Sequence, residues 1–232
     1  MSNAIVWNQW RTGKMSDADC LRDLVRCKDA RAPGALLAFE TIRKKDRMQN
    51  LQDEILRVQE SLRLRQKPFL SHPLIDGWLK QYEPQNYGVL ARFQVLALVG
   101  GSQQGKTSKA VSVFGISRSL KVSCQSCPIG ILPSLAAFNR CQHKAIVFDE
   151  CRVDQILSNR EFFQASSYPQ QMSQSLCNQH MYEVWVYQTA LIVCCNALQM
   201  GVEDGLSESD ADWMLANVVP VRLSQGQTWY AR

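Results

Sequence analysis

Four short apolar segments follow one another in the part of the chain after residue 92. They occupy residues 95–99, 145–148, 191–195 and 218–223, and the first three end directly in glycine or polar residues. Apolar runs of this length without alternation are typical of parallel strands that are buried on both faces. Segments compatible with helices separate them. The pattern predicts an α/β fold with a mostly parallel central sheet and helices on both faces.

The preceding part of the chain has the periodicity of helices. Ser16 and the acidic residues after it are typical of a helix start, and apolar residues follow at helical spacing as far as Pro33 and Gly34. A second helical pattern runs over residues 35–65, interrupted by the charged residues 43–47. We predict an α-hairpin from these two patterns and an irregular arm at residues 1–14.

The patterns divide the chain into three parts. We expect a helical region for oligomerisation or interaction at residues 1–67, a linker with a short helix at residues 68–92, and the α/β domain at residues 93–232. Residues 1–80 contain fifteen lysines and arginines and ten acidic residues, whereas residues 81–232 contain eleven basic and eleven acidic residues. This basic excess suits a polyanionic partner, although solvated helix faces give the same count.

Composition limits the class of protein. With 232 residues, 46% of them hydrophobic, the chain can bury a sizeable core. No apolar run approaches the roughly 18 to 20 residues that cross a bilayer, so we expect no membrane insertion. The nine cysteines are scattered and no signal peptide precedes them, which indicates reduced, intracellular thiols.

Residues 100–107, GGSQQGKT, follow the first apolar run and fit the pattern GxxxxGK[ST] in full. Glycines let the backbone turn its N–H groups toward a phosphate, a lysine reaches the outer phosphate oxygens, and a hydroxyl ligates Mg²⁺. The motif therefore predicts a site for a nucleoside triphosphate, ATP, with Mg²⁺, and Thr107 is a predicted metal ligand. The predicted nucleotide-binding residues are Gly100, Gly101, Ser102, Gln103, Gln104, Gly105, Lys106, Thr107 and Ser108.

Two of the later apolar runs end in residues suited to phosphate chemistry. Asp149 and Glu150 follow the second run directly, and Asn196 follows the third. Because ligands of parallel sheets bind beyond the carboxyl ends of the strands, these side chains are expected near the phosphates. We predict that Asp149 ligates Mg²⁺, that Glu150 activates the attacking water, and that Asn196 holds the γ-phosphate or that water. Together with Lys106 they form the predicted catalytic set.

These three ordered motifs resemble those of the superfamily 3 helicase domain in the replication-associated (Rep) proteins of small circular single-stranded DNA viruses, the CRESS-DNA viruses, with the geminivirus type most similar. GGSQQGKT resembles the Walker A motif of that family, IVFDE its Walker B motif and VCCN its motif C. The resemblance covers residues 93–230, and the segment from Trp213 to Tyr230 resembles the closing strand of those proteins.

The resemblance implies a P-loop, AAA+-like ATPase that assembles into a homo-oligomeric ring, commonly a hexamer, and moves along single-stranded DNA from 3′ to 5′ during replication of small circular DNA. It implies that Lys106 and Thr107 hold the triphosphate and Mg²⁺. Asp149 would ligate the metal, Glu150 would polarise water and Asn196 would sense the γ-phosphate. It also implies that the region before residue 68 serves oligomerisation and that the protein acts in the host nucleus.

The chain departs from that family in two places. It has no His-x-His pair and too few residues before residue 93 to contain the family's nicking domain, so a separate partner would have to supply origin nicking. Residues 174–182, which match the family's DNA-gripping B′ hairpin, contain no lysine or arginine, although phosphate binding depends on such cations. The DNA contacts predicted in this stretch are Asn178, Gln179 and His180. The arginine finger stays open: it is Arg152, Arg160 or Arg222, or none of them.

Two functions of different classes therefore stay open. The first is an active Rep-type DNA helicase or ATPase, which the intact Lys106, Asp149 and Asn196 favour. The second is a non-catalytic or nucleotide-switched protein derived from Rep that binds ATP, oligomerises and recruits other proteins, which the uncharged residues 174–182 favour. A small P-loop kinase or an unrelated AAA+ module fits less well with the strand-final Asn196.

Overall fold

The structure, a computed structural model, describes residues 3–26, 49–58 without 52 and 56, 69–86, 90, 92–173, 181–224 and 227–230. The chain divides into two compact units, Met1–Ser61 and Leu62–Arg232, and each is described by itself. The predicted boundary between residues 67 and 68 lies outside the described residues. Among the helices described, none combines the length and the apolar character that crossing a membrane requires.

Two helices, α1 (Asn3–Arg11) and α2 (Asp17–Arg26), pack against each other in the first unit. Val6 and Trp10 of α1 are buried in one cluster with Leu24 of α2. Val6 and Trp10 are one helical turn apart, so a helix buries both on the same face. The predicted irregular arm at residues 1–14 is therefore wrong where α1 lies.

The start of α2 agrees with the prediction. The backbone N–H of Asp19 donates to Ser16 Oγ at 3.2 Å, and the Ser16 hydroxyl donates to the Asp19 carboxylate at 2.7 Å. A serine in this position stabilises the first turn of a helix. Residues 27–48, with the predicted turn at Pro33 and Gly34 and the charged cluster, lie outside the described residues. Within residues 49–58 the described positions are helical, as the second helical pattern predicts.

The second unit is built around a sheet of parallel strands. Its described helices and strands are, in chain order, α3 (Pro73–Leu79), β1 (Val95–Val99), α4 (Lys106–Phe114), β2 (Ser119–Ser123), β3 (Ala145–Asp149), α5 (Val153–Ser158), α6 (Arg160–Phe163), β4 (Gln170–Ser173), β5 (Met181–Val184), β6 (Ala190–Cys195), α7 (Glu208–Asn217) and β7 (Val218–Arg222). Five strands form an all-parallel sheet in the order β2-β3-β6-β1-β7, which confirms the predicted α/β class. Strands β4 and β5 form a separate antiparallel pair.

Helices cover both faces of the five-stranded sheet, as predicted. On one face, Trp78 of α3 and Ala110 of α4 pack in one cluster with Leu96 of β1. On the other face, Ile156 of α5 packs in one cluster with Ala97 of β1. Every residue of β1 is buried. Because alternate residues of this strand face opposite cores, its sequence is a continuous apolar run.

Strand β2 is an element that the apolar pattern does not predict. It lies at the edge of the sheet, beside β3 alone, and it exposes Lys121 and Ser123. An edge strand with one solvated side has no continuous apolar run, so the apolar pattern does not predict this strand. The β4–β5 pair is likewise unmarked by apolar runs, and its connecting residues 174–180 lie outside the described residues.

The strand order brings the three sequence motifs to one edge. Strand β6 lies between β1 and β3, so that Val99 is level with Cys195, and Cys194 is level with Asp149. All five strands run in the same direction, so their carboxyl ends meet at one edge of the sheet. The loop after β1, Asp149 at the end of β3 and Asn196 after β6 are therefore neighbours.

Candidate functional site

The loop of residues 100–105, called the glycine loop below, turns sharply from β1 into α4. Gly105, directly before the helix, has a φ of +82°, in the left-handed region that glycine adopts without strain. The glycine loop and the first turn of α4 border a cavity of about 270 Å³ at the carboxyl edge of the sheet. The predicted site residues that line this cavity are Ser102, Gln103, Gln104, Gly105, Lys106, Thr107, Ser108, Asp149, Glu150 and Asn196.

Lys106 holds its ammonium group inside the glycine loop. Its Nζ donates to the carbonyl oxygens of Gly100 and Gly101 at 2.8 and 2.7 Å, and to Asn196 Oδ1 at 3.0 Å. The residue is 9% exposed, and three acceptors satisfy the three donors of a buried ammonium group. Lys106 and Asn196, which are 90 positions apart in the sequence, thus meet at the end of β1 and β6.

Thr107 and Asp149 form the second contact across the site. The Thr107 hydroxyl donates to Asp149 Oδ1 at 2.5 Å, and the two residues are 42 positions apart in the sequence. The other carboxylate oxygen, Asp149 Oδ2, lies 3.1 Å from Lys121 Nζ on the neighbouring strand β2. The half-exposed Lys121 is a residue that the sequence pattern does not single out, because β2 itself is not predicted. A hydroxyl and a carboxylate in contact are a pair of oxygen ligands suited to Mg²⁺.

Glu150 projects from a turn directly after β3. Its φ is +56°, a left-handed conformation that costs a residue with a side chain about 1 to 2 kcal/mol. The chain then returns to the sheet, since the Cys151 N–H donates to the Cys194 carbonyl at 3.0 Å. In the described part of the chain, Glu150 is exposed and has no hydrogen bond or ion pair. Its carboxylate is thus open to a water molecule in the cavity.

The two thiols at the end of β6 are buried and uncharged near neutral pH. Burial raises the pKa of Cys195 to about 12 and also raises the pKa of Cys194 well above its usual range. Cys194 lines the cavity, and the nearby Thr107 side chain offsets a small part of the effect of burial on the pKa of its thiol. Because the thiolate is the nucleophilic form of cysteine, neither residue is suited to attack a substrate.

A C-terminal segment, residues 227–230, lies against the glycine loop. The Trp229 N–H donates to the Gln104 carbonyl at 3.0 Å, and a Cβ atom on Gly105 would lie 2.7 Å from the Tyr230 ring. Tyr230 lines the cavity and also borders a neighbouring cavity of about 500 Å³. Phe69, far away in the sequence, forms a β-bridge with Tyr230, and the two rings lie 5.2 Å apart with a tilt of 30°. Sequence analysis misses Tyr230 as a site residue, since a lone aromatic residue near the chain end gives no signal of its own.

The three arginines considered as an arginine finger are all engaged within the chain. Arg152 donates to the Asp154 carboxylate at 3.1 Å, and Arg222 donates to the Leu198 carbonyl at 2.8 Å. Arg160 pairs with Asp210. None of the three lines the cavity. An arginine that reached a neighbouring copy would first have to leave these contacts.

The predicted DNA contacts Asn178, Gln179 and His180 lie outside the described residues, between β4 and β5. No group of three histidine, cysteine or acidic residues that could hold a metal by itself is found in the part of the chain that the structure describes. A metal at this site would therefore take its remaining ligands from water or phosphate, as Mg²⁺ commonly does.

In comparisons with known proteins, no protein-family model matches the chain, and no curated protein gives a significant match.

Proposed function

We propose that this chain is a P-loop ATPase of the superfamily 3 helicase type, similar to the Rep proteins of small circular DNA viruses. The observation that carries the proposal is the convergence of residues after β1, β3 and β6 on one cavity. Lys106 meets Asn196 there at 3.0 Å. Thr107 meets Asp149 at 2.5 Å.

The cavity fits a nucleotide that carries Mg²⁺. The N–H groups of the glycine loop and the first turn of α4 favour phosphate, as helix N-termini do, and Lys106 adds a positive charge. The Thr107 hydroxyl and the Asp149 carboxylate, 2.5 Å apart, are the kind of ligands that Mg²⁺ takes beside phosphate oxygens. When bound, Mg²⁺ would neutralise charge that develops on the transferred phosphate.

Hydrolysis would join a water oxygen to the γ-phosphorus and break its bond to the oxygen that links it to ADP. Glu150 is suited to orient that water and take its proton, since its carboxylate has no other partner in the described residues and lines the cavity. Lys106 would stabilise the negative charge of the phosphate oxygens. Asn196 would hydrogen-bond the γ-phosphate or the water.

A parallel sheet of this kind is compatible with a Rossmann-like dinucleotide site as well as with a P-loop. The two differ in the residues that the ligand needs. A Rossmann site uses glycines and a ribose-binding carboxylate, and it needs no lysine and hydroxyl at the start of the helix. The Lys106–Thr107 pair, facing Asp149 from another strand, favours a triphosphate with Mg²⁺.

The helicase part of the proposal rests on the resemblance of the three motifs. It includes a homo-oligomeric ring, movement along single-stranded DNA and action in the replication of small circular DNA in the host nucleus. The antiparallel β4–β5 pair lies between the second and third motifs, where the family has its B′ hairpin. This position supports the likeness to that family.

A second candidate function is a nucleotide-switched interaction protein that binds ATP and oligomerises without moving along DNA. It is favoured by the sequence of residues 174–182, which has no lysine or arginine to grip phosphates. In that case DNA would not change the rate of hydrolysis, or ATP would bind without being hydrolysed.

The experiment that tests the proposal measures phosphate release from ATP by the full chain, with and without single-stranded DNA. We expect Mg²⁺-dependent hydrolysis that DNA stimulates, and its loss in Glu150→Gln, because the amide cannot take a proton from water. Glu161→Gln, at an exposed acidic residue of α6, is the matched control and should keep full activity. Hydrolysis that persists in Glu150→Gln would contradict the role of Glu150, and hydrolysis indifferent to DNA would support the second function.

A further inference from the structure

Two exposed positive charges lie at the amino ends of the parallel strands, on the side of the sheet opposite the cavity. Arg118 directly precedes β2 and Lys144 directly precedes β3, so both lie at the amino ends of parallel strands. Their backbones are in contact, since the Lys144 N–H donates to the Arg118 carbonyl at 2.7 Å. Both side chains are exposed, and neither has an ion pair within the described residues. They are therefore free to bind an anion.

An exposed tryptophan, Trp185, lies at the same edge. It follows β5 and is 44% exposed, yet its ring is held in place. Its Nε1 donates to the Ser167 carbonyl at 3.0 Å, and the Arg140 guanidinium lies 4.0 Å from the ring centre. Arg140 also donates to the Tyr187 carbonyl. The guanidinium covers part of one ring face, and the Tyr187 ring lies nearly parallel to the Trp185 ring, with the centroids 6.3 Å apart. These neighbours orient the ring, and a base would stack on the part of it that stays exposed.

Backbone contacts join Trp185 to the two free cations. The Thr189 N–H donates to the Val186 carbonyl at 2.8 Å, and the Ala190 N–H donates to the Lys144 carbonyl at 2.9 Å. The segment after Trp185 therefore leads directly to the start of β6, which lies beside β3. These contacts bring the segments of Arg118, Arg140, Lys144 and Trp185 to the amino ends of β2, β3 and β6, and the side chains of these four residues are called the amino-edge surface below.

One acidic residue borders the amino-edge surface. Glu183 is exposed, lies near the end of β5 and precedes Trp185 by two positions. Its negative charge opposes anion binding and offers a variant with the opposite expected effect.

We propose that the amino-edge surface binds single-stranded nucleic acid, with a base on Trp185 and the backbone phosphates at Arg118 and Lys144. This deepens the nucleic-acid part of the proposed function and rests on it. Lysine and arginine bind phosphates, while an aromatic ring stacks on any base. An acidic protein would use the cations but would leave the fixed ring without a role. The surface also supplies the cations that residues 174–182 lack.

The test is the binding of a fluorescein-labelled oligothymidylate of twenty nucleotides to the full chain without nucleotide, measured by anisotropy at several salt concentrations. We expect Trp185→Leu to weaken binding about tenfold. Lys144→Ser should reduce the slope of log affinity against log salt by about 0.7, the value for one phosphate contact on a single strand. Glu183→Gln should tighten binding. Lys14→Ser removes an exposed cation of the basic N-terminal region and should leave the salt dependence unchanged, whereas a loss equal to that of Lys144→Ser would overturn the assignment of the phosphate contact to the amino-edge surface.

A duplex of the same length separates stacking from charge alone. Its bases are stacked on each other, so the amino-edge surface should bind it more weakly than the single strand, whereas a purely ionic surface would prefer the more highly charged duplex. Oligouridylate should bind about as well as oligothymidylate, because both offer unstacked pyrimidines. A preference for the duplex would overturn the proposal.

Hydrolysis of ATP without DNA, measured on the same variants, keeps this inference apart from the proposed function. It should be unchanged, because the amino-edge surface and the cavity lie at opposite edges of the sheet. DNA binding that Trp185→Leu and Lys144→Ser both leave intact would overturn the amino-edge surface and leave the ATPase standing. Thermal unfolding of each variant identifies misfolding. If Trp185→Leu is unstable, the variants Lys144→Ser and Glu183→Gln, at exposed residues, still test the proposal.

Discussion

Replacing Gly105 by alanine tests the contact between the glycine loop and the C-terminal segment. The substitution places a methyl group in a left-handed residue, with φ +82°, and 2.7 Å from the Tyr230 ring. The backbone contribution is about 1 kcal/mol, since the left-handed cost is partly offset by a less flexible unfolded chain. Overpacking against the ring adds about 1 to 3 kcal/mol. We expect Gly105→Ala to lower the free energy of unfolding by about 2 to 4 kcal/mol.

Gly205 is the matched control for the backbone contribution. Its φ is +92° and its ψ is 15°, close to the values of Gly105, but a Cβ atom there would meet nothing within 4 Å. Gly205→Ala should therefore cost only about 1 kcal/mol. Combining Gly105→Ala with Tyr230→Ala removes the collision, so the two changes should be non-additive by about 1 to 3 kcal/mol.

The assay is urea-induced unfolding followed by circular dichroism. The free energies of unfolding are compared among variants that share the same dependence of this free energy on urea concentration. Equal losses for Gly105→Ala and Gly205→Ala would refute the contact with Tyr230. So would a double variant whose loss equals the sum of the two single losses, because additivity means that the residues do not touch.

Further predictions concern the ammonium, hydroxyl and thiol groups of the site. Lys106→Ala should abolish phosphate release from ATP while circular dichroism shows that the chain stays folded, and Lys80→Ala, at an exposed lysine, should leave both phosphate release and the fold unchanged. Thr107→Val should raise the Mg²⁺ concentration for half-maximal hydrolysis about tenfold, in a Mg²⁺ titration, because one ligand to a charged group is lost. Burial raises the pKa of Cys195 from 9.0 to about 12, so the folded state keeps a proton that the unfolded state loses, and the free energy of unfolding should fall as pH rises between those values. Cys195→Ala should show a shallower fall in urea titrations at alkaline pH, and an unchanged fall would contradict the assigned burial.

The parallel core could be predicted because its strands are buried on both faces. Each residue of β1 and β6 contacts a core, so burial alone imposes an apolar run that is visible in the sequence. Residues that line the cavity could then be predicted, because parallel strands bring their carboxyl ends together, and Asp149 and Asn196 lie at those ends.

Edge strands and contacts between distant segments could not be predicted in this way. Strand β2 exposes Lys121, so the pattern of apolar residues does not predict the contact of Lys121 with Asp149. Tyr230 reaches the glycine loop through the bridge to Phe69, and neither residue belongs to a periodic element. Helix α1 was not predicted because its nine residues bury only one narrow face, which contains Val6 and Trp10. Pairings of this kind depend on tertiary packing rather than on local periodicity.

Strand β3 connects the two proposed sites. Lys144 precedes its first residue and Asp149 is its last, so five positions, or about 17 Å of extended chain, separate the proposed phosphate contact from the proposed Mg²⁺ ligand. Strand β6 has the same arrangement, since the segment of Trp185 leads into it and Asn196 follows it. Both strands are buried and hydrogen-bonded to two neighbours, so close packing opposes local bending of either strand. Stimulation of hydrolysis by DNA bound at the amino-edge surface would therefore require β3 and β6 to shift relative to β1. Such a shift would change the Lys106–Asn196 contact between the ends of β1 and β6.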